Sequence, residues 1–291
     1  MHKNTVRRFC SYLLILTSLA LGWPSPAVAK EEALKMGVFP RRNFTTTIKM
    51  FTPLADYLSR KLGRKVLLET EKDFQSFWNK VQSGYYDIVH YNQYHYIRTR
   101  KKPGYRVIAK NEEFGLSTIA GSIVIRTDSH IKQIKDLSGK KIVFGGSKKA
   151  MQSYIIATYL LRRGGLKAGD YTETFAINPP NAVLATYFHQ AAAAGVGDKV
   201  ILMSVVSRNV NTKKLAYLAR GQQLAHLPWA VSTRLPRKQR NRIRTVLTTL
   251  KKTREGKKIL RAARLTNIVT AKDKEYDPHR RIIKIVTGEQ Y

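Results

Sequence analysis

Apolar residues along this chain follow two rhythms, short continuous runs and stripes at helical spacing, and each change of rhythm predicts a change of element. Leu34 to Phe39 is a run of strand length. After it Ile48, Phe51, Ala55, Leu58 and Leu62 recur at helical spacing, and Gly63 stands where a helix should stop. Val66 to Leu68 predicts a second strand. Asp73 is placed to cap a helix whose buried stripe is Phe74, Phe77, Trp78 and Val81, ended by Gly84. Tyr86 to His90 and Tyr105 to Lys110 predict a third and a fourth strand.

The β-rich run Ser117 to Arg126, with Gly121 inside it, predicts a strand that leaves one lobe and enters another. The alternation then restarts. Lys141 to Phe144 reads as a strand, and a helix runs from about Ala150 to Arg163, closed by Gly164-Gly165. Thr174 to Ile177 is the next strand, Pro179-Pro180 a break, Asn181 to Gln190 a helix, and Lys199 to Val205 a further strand-like run. The chain returns through Leu224 to Val231. Pro236 opens a helix with Ile243, Val246, Leu247 and Leu250 on one face, and helices over 257–264 and 278–286 follow. Strands interleaved with helices predict an α/β protein of two lobes, with mixed sheets flanked by helices and a hinge between them. Residues 30–121 with 226–291 are expected to form lobe 1, and residues 122–225 an inserted lobe 2. Ligands of such folds sit at the carboxyl ends of strands, in the cleft.

The first 29 residues follow another logic. Lys3, Arg7 and Arg8 precede an apolar run from Tyr12 to Leu21, then Trp23-Pro24-Ser25-Pro26 and Ala27-Val28-Ala29. That order predicts a signal peptide cleaved after Ala29, and a soluble mature chain in the periplasm. The apolar run is shorter than the ~20 residues of a membrane span. Cys10, the one cysteine, leaves with the leader, which excludes disulfides, thiol catalysis and cysteine-bound metals in the mature chain. Removing the leader lowers the formal net charge only from +34 to +31. The basic residues are spread along the chain, so a solvated shell is expected, with electrostatic contact to an anionic envelope surface as a second use of the charge. No specific nucleic-acid partner is expected.

Three strand-end segments carry groups that a small anion would need. Arg41, Arg42, Asn43, Thr45, Thr46 and Thr47 follow the first strand. Tyr91, Asn92, Gln93, Tyr94, His95 and Tyr96 follow the third, with more rings than one core-facing stripe requires. Gly145 to Ser153 runs straight into a helix, where unpaired amides beside Ser147, Lys148 and Lys149 form an anion cradle. Ser147 is equally suited to be only an N-cap, and the lysines to be only solvated. Enzyme signatures are weak. His90 and His95 have no zinc-motif spacing, residues 145–149 lack P-loop order, Gly195 and Gly197 are too few for a dinucleotide loop, and there is no nucleophile elbow. No catalytic residue, cofactor or metal is expected.

Met36-Gly-Val-Phe-Pro, Phe51-Thr-Pro-Leu-Ala-Asp-Tyr-Leu, Tyr86-Asp-Ile-Val-His-Tyr-Asn-Gln-Tyr-His-Tyr and Asp136-Leu-Ser-Gly-Lys-Lys-Ile-Val-Phe-Gly together resemble the phosphate/phosphite/phosphonate-binding proteins of ABC transporters. The resemblance spans nearly the whole mature chain. It implies a type II periplasmic binding fold that closes on a small oxyanion and docks, as a monomer, on a permease or on a sensor ectodomain. By position it implies ligand contacts near Thr45 to Thr47 and from Tyr91 and Asn92 in the first lobe, and from Ser147, Gln152, Ser153, Asn181 and Asp198 in the second. The strand-end chemistry adds Arg41, Tyr94, His95 and Lys148 as candidate contacts, and Trp229 lines the cleft or packs the hinge. Where the family offers a Ser-Thr-Ser type cluster, this chain has Ser147-Lys-Lys-Ala-Met-Gln-Ser153, so the expected ligand is a small anionic solute of wider class. An exported binder of polyanions or envelope is the alternative reading.

Overall fold

A computed structural model describes residues 32–291; the predicted leader, with its cleavage site, lies outside the described residues. The chain opens with β1 (Leu34–Val38), α1 (Phe44–Leu62), β2 (Val66–Glu69), α2 (Phe74–Gln82), β3 (Ile88–His90), α3 (Gln93–Thr99) and β4 (Tyr105–Glu112). It passes through β5 (Thr118–Ile119) into β6 (Gly121–Arg126), β7 (Lys141–Gly145), α4 (Ala157–Arg163), β8 (Thr172–Ala176) and α5 (Pro179–Tyr187). Next come β9 (Ala193–Gly197), α6 (Ser204–Ser207) and β10 (Leu215–Arg220). The return is through β11 (Leu224–Ala225) and β12 (Pro228–Ser232), followed by α7 (Arg237–Thr248), α8 (Arg254–Ala262), β13 (Asn267–Thr270) and α9 (Asp277–Thr287).

Two mixed sheets result. The first has strand order β13-β4-β12-β3-β1-β2, the second β10-β6-β9-β7-β8. β1 is parallel to β2 and β3, and β12 runs antiparallel between β3 and β4, so the carboxyl ends of β1, β3 and β4 share one edge. β7 is parallel to β8 and β9. The two passages between sheets pair with each other, Ile119 opposite Leu224 and Thr118 opposite Ala225.

Both faces of the first sheet are covered. Phe51, Leu58, Ile243, Leu247 and Ile259 of α1, α7 and α8 pack on one face. Phe77, Val81, Ile97 and Ile283 of α2, α3 and α9 belong to the core on the other. Of the stripe predicted for α1, Phe51, Ala55, Leu58 and Leu62 are buried and Ile48 is half-buried, and the helix ends are set by short-range chemistry. The Asn43 side chain accepts from the Thr46 amide, and Gly63, at φ +68°, turns back to donate to the Ser59 carbonyl. The second sheet is sandwiched in the same way, with Val183 and Val206 on one face and Ala157 and Leu161 on the other.

The structure departs from the sequence pattern in four places. Pro179-Pro180 opens α5 instead of interrupting the chain before it. Asn178 caps that helix, and a missing N–H is harmless in a first turn. Lys199 to Val205 is no strand but a 3₁₀ turn over Val200–Leu202 leading into α6. The strand that takes its place is β9, Ala-Ala-Gly-Val-Gly, fully buried at the sheet centre. The low β-propensity of that segment hid it, and its small residues are there because other atoms crowd against it. The third departure is the pair β10 and β13, largely half-exposed strands that the sequence pattern did not predict. In the fourth, the cluster after β3 winds into α3.

A Cβ added at Gly195 would lie 2.5 Å from the Ser153 carbonyl oxygen and 2.5 Å from the Phe144 ring. Gly195→Ala is therefore expected to destabilise the fold by about 1–3 kcal/mol through overpacking. Urea unfolding of the purified variant measures this, and a midpoint equal to the parent's would contradict the packing described.

Candidate ligand-binding site

The shared carboxyl edge of β1, β3 and β4 brings Val38, Phe39, His90, Asn111 and Glu113 side by side. Arg41, Arg42 and Thr47 from the entry to α1, and Arg264 from the turn after α8, close a cavity of about 30 Å³ over them. That is room for about two water-sized groups.

Its electrostatics turn on Glu113. Glu113 Oε1 accepts from Arg41 Nη1 at 2.6 Å and from Asn111 Nδ2 at 3.2 Å. His226 Nε2 lies 3.9 Å from the other carboxylate oxygen. Burial alone would push this carboxyl up, but Arg41, His226 and Asn111 hold it at about 2. One carboxylate faces three guanidinium groups here. Burial lowers Arg42 to about 10, and repulsion from Arg41 and Arg264 adds to the shift against the opposing pull of Glu113. A partly buried excess of positive charge is left in a small cavity, which an oxyanion would neutralise.

A satisfied chain of hydrogen bonds holds this wall rigid. Trp229 Nε1 donates to Asn111 Oδ1 at 2.8 Å, and Asn111 Nδ2 also approaches His90 Nε2 at 3.3 Å. His90 Nδ1 meets the Pro228 carbonyl at 3.0 Å, so the neutral Nδ1–H tautomer satisfies both ends of the ring. The ring stacks on Trp229 at 4.4 Å and 9°. Burial holds His90 at about 3, and the neighbouring charge of Arg41 lowers it further.

The second sheet contributes the segment after β7. Ser147 forms a turn, its Oγ accepting from the Lys149 amide and its carbonyl from Ala150. A π-helical turn, Met151–Ile156, then runs into α4. Lys149 joins the two halves. Its carbonyl accepts from Asn92 Nδ2 at 3.3 Å, and its Nζ lies 3.4 Å from Gln75 Oε1 and 5.8 Å above the Trp78 ring. Several buried polar atoms near the strand ends have no hydrogen-bond partner: Gln93 Oε1, His95 Nε2, both polar atoms of Gln152, and His226 Nε2, which has only its 3.9 Å approach to Glu113. Gln93 and His226 flank the β5–β11 ladder, one donating to the Ala225 carbonyl and the other from its amide to Ser117. Atoms of this kind are costly unless something binds them.

The residues named from sequence do not all converge. Arg41 lines the cavity. Thr45 is exposed and Thr46 half-exposed on the first turn of α1, whereas Thr47 lines the cavity. Tyr91 is buried in the core, its hydroxyl paired with Thr99 and its ring against Tyr96 and Tyr105. Asn92 caps α3 and bridges to Lys149. The Tyr94 hydroxyl binds Glu289, and His95 stacks on Trp78 at 4.5 Å. Lys148 reaches out to Glu173. Gln152 and Ser153 are buried in the π-turn, while Asn181 is exposed on α5. Asp198 is buried with its oxygens taken up by the Ala120 amide, Arg220 and Gln223, beside Lys199. Trp229 backs the cavity wall through Asn111 and His90. The sequence reading passed over Asn111, Glu113, His226 and Arg264. One signal was available for Glu113: two consecutive acids after a strand, in a chain with 19 acids against 53 cations.

Comparison with known proteins follows the same line. The family described as "ABC transporter, phosphonate, periplasmic substrate-binding protein" matches residues 36–276. The fold is similar to a binding-protein component of an ABC phosphonate transporter from Pseudomonas aeruginosa (TM-score 0.76, 13% identity, 87% of this chain and 86% of that one). It is similar to PhnD1 of Prochlorococcus marinus, solved in complex with methylphosphonate (TM-score 0.76, 17% identity, 88% and 99%). It is also similar to the periplasmic aliphatic sulphonate binding protein SsuA of Escherichia coli (TM-score 0.62, 15% identity, 87% and 86%). The two mixed, helix-flanked sheets are therefore the type II periplasmic binding fold.

The buried histidines set an acid limit on stability. Burial lowers His90, His95 and His279 to about 3 and His226 to about 4, whereas they titrate near 6.5 when unfolded. Below about pH 6.5 the unfolded chain binds more protons than the folded one, so stability falls as pH drops, by up to about 1.4 kcal/mol per unit for each histidine. Glu113, depressed from 4.5, adds its own loss as pH falls toward about 2. Urea midpoints at about pH 7.5, 6 and 4.5 should decrease in that order. An unchanged midpoint at the lowest pH would show that these rings are not held neutral.

Proposed function

This chain belongs to the phosphonate periplasmic substrate-binding proteins of ABC transporters, and from that membership we propose that it captures a small oxyanion such as phosphate, phosphite or a phosphonate between its two sheets. The family works in the periplasm, binds its solute without chemical conversion, and partners with a permease. The observation that carries the ligand class is the cation cluster. Arg41, Arg42 and Arg264 outnumber the single carboxylate of Glu113 in a cavity at the strand ends. Planar guanidinium groups match the paired oxygens of a phosphorus or sulfur oxyanion.

In this reading residues 1–29 are the export signal. Lobe 1 comprises 30–121 with 226–291, lobe 2 comprises 122–225, and the β5–β11 ladder is the hinge. In this reading closure of the lobes would bring the amides and Gln152 of the π-turn segment toward a ligand seated on the arginines. Such an arrangement favours the closed state by the difference in contacts between closed and open forms. Delivery to a permease follows from the family; a sensor ectodomain as receiver is the variant of this reading in which the closed form signals. SsuA, an aliphatic sulphonate binding protein, and PhnD1, in complex with methylphosphonate, support the same tetrahedral-oxyanion class.

A second reading has its own observation. Between Arg237 and Arg264 twelve of 28 residues are Lys or Arg and one, Glu255, is acidic, whereas the whole chain has 53 in 291. These residues lie on α7 and α8 and the turn between them, on one layer over the first sheet. In the periplasm the anionic partner for such a layer is a phosphate-bearing membrane surface.

Thermal melts against phosphate, phosphite, methylphosphonate, an alkanesulfonate and acetate test the ligand class. The best oxyanion, at about 100 times its dissociation constant, should raise the midpoint by roughly 5–10 °C, and Arg42→Gln should weaken binding about tenfold or more. No shift with any tetrahedral oxyanion would remove the proposal. For the second reading, binding to vesicles containing anionic phospholipid should fall steeply with salt. It should drop on replacing Arg242, Lys252, Lys257 and Lys258 by Gln, and not on replacing four lysines elsewhere. Equal losses from both sets would mean that net charge alone is responsible.

A further inference from the structure

A second cavity, sharing no residue with the first, opens where the chain crosses between sheets. It measures about 270 Å³ and lies between α4 with the preceding turn, the Arg220–Leu224 connection, and α9. Its lining is of two kinds. Ile156, Leu160, Leu224, Ile282 and Ile285 supply apolar surface, and Arg163, Arg220 and Arg281 supply positive charge, with no carboxylate among the lining residues. Arg220 is engaged by Asp198 at 2.9 Å, and Arg163 lies 5.9 Å over the Tyr159 ring. Among the described residues Arg281 has no ion pair.

Neither half of this lining is explained alone. A purely apolar void would hold nothing charged, and surface arginines need no apolar chamber between them. The volume lies just below that of sites for drug-sized ligands. The walls come from both halves of the molecule, and Arg162 Nη1 ties α4 to the Ile285 carbonyl of α9 at 3.0 Å beside the opening.

We propose that this cavity is a binding site for a small amphiphilic anion: a single phosphate, sulfonate or carboxylate head held by Arg163 and Arg281, and a short alkyl or aryl tail between Leu160 and Ile282. An occupant touches α4 and α9 together and so stabilises the arrangement of the halves in which those helices are close. Arg220, at the same cavity, connects it to the Asp198 clamp on the strands that cross between the sheets. The site stands independently of what the first cavity binds.

Calorimetric titration of the mature chain with hexyl phosphate tests this, carried out in excess inorganic phosphate so that any phosphate site at the strand ends is filled. Hexyl phosphate and hexanesulfonate should bind under these conditions, and hexyl glucoside, with the same tail and no charge, should bind about tenfold more weakly or less. The exposed pair Arg163→Gln and Arg281→Gln should cost about tenfold or more in affinity for hexyl phosphate, Ile282→Trp should block the chamber, and Arg42→Gln, which weakens oxyanion binding in the first cavity, should leave the hexyl phosphate affinity as it is. Undiminished binding by the double arginine variant, equal binding of the neutral glucoside, or no binding of hexyl phosphate up to about 1 mM would each overturn the proposal. Loss of binding with Arg42→Gln alone would place the ligand in the first cavity and overturn it equally.

Discussion

Glu113 is a carboxylate removed from water, and such a group is tolerated only where cationic and hydrogen-bonding partners are held around it. Arg41, Asn111 and His226 supply those partners here. Each of them fixes something further. Asn111 orients Trp229 and His90, whose stacked rings form the back of the cavity. Arg41 is drawn inward from the loop after β1 and brings Arg42 with it. Removing one member would leave an unpaired buried charge, costing about 3–5 kcal/mol in comparable cases. The ion pair is thus less a source of stability than a device that assembles a binding wall in one geometry.

The pairing also decides the sign of the site. One carboxylate cancels one guanidinium, and the charge of Arg42 and Arg264 is left over in a space too small for a large solvent shell. Burial already lowers the affinity of Arg42 for its proton. An anion that entered would relieve the mutual repulsion of the arginines and replace their lost hydration with charge-assisted hydrogen bonds. What the site offers an anion is therefore incompletely compensated charge.

A second clamp operates where the chain crosses between sheets. Asp198 accepts from the Ala120 amide, Arg220 and Gln223, binding the outgoing and returning strands to β9. Gly121 is tolerated there because a Cβ would strike Ile156, and the Gly221 amide donates to its carbonyl at 2.9 Å. Close backbone approach and a saturated carboxylate hold the two crossings together beside the short β5–β11 ladder. Asp198 thus does in this structure what Glu113 does in the first sheet: it organises the backbone around one buried charge.

Periodicity alone determined the α/β class, the stripes of α1, α2 and α7, most of the strands, and the segments that arrive at the carboxyl ends. Local forces explain that success, because apolar spacing, capping side chains and helix-ending glycines act within a few residues of where they are written. β9 escaped because its alanines and glycines answer to Phe144 and Ser153, which are distant in sequence. Tyr91 read as a cleft residue and is a core residue, since a cluster of rings does not reveal which ring faces which neighbour. Glu113, His226 and Arg264 sit in three separate stretches of chain. Only the stacking of β12 between β3 and β4, with α8 turned back onto the first sheet, brings their charges together, because Coulomb attraction follows distance in space and the sequence records distance along the chain.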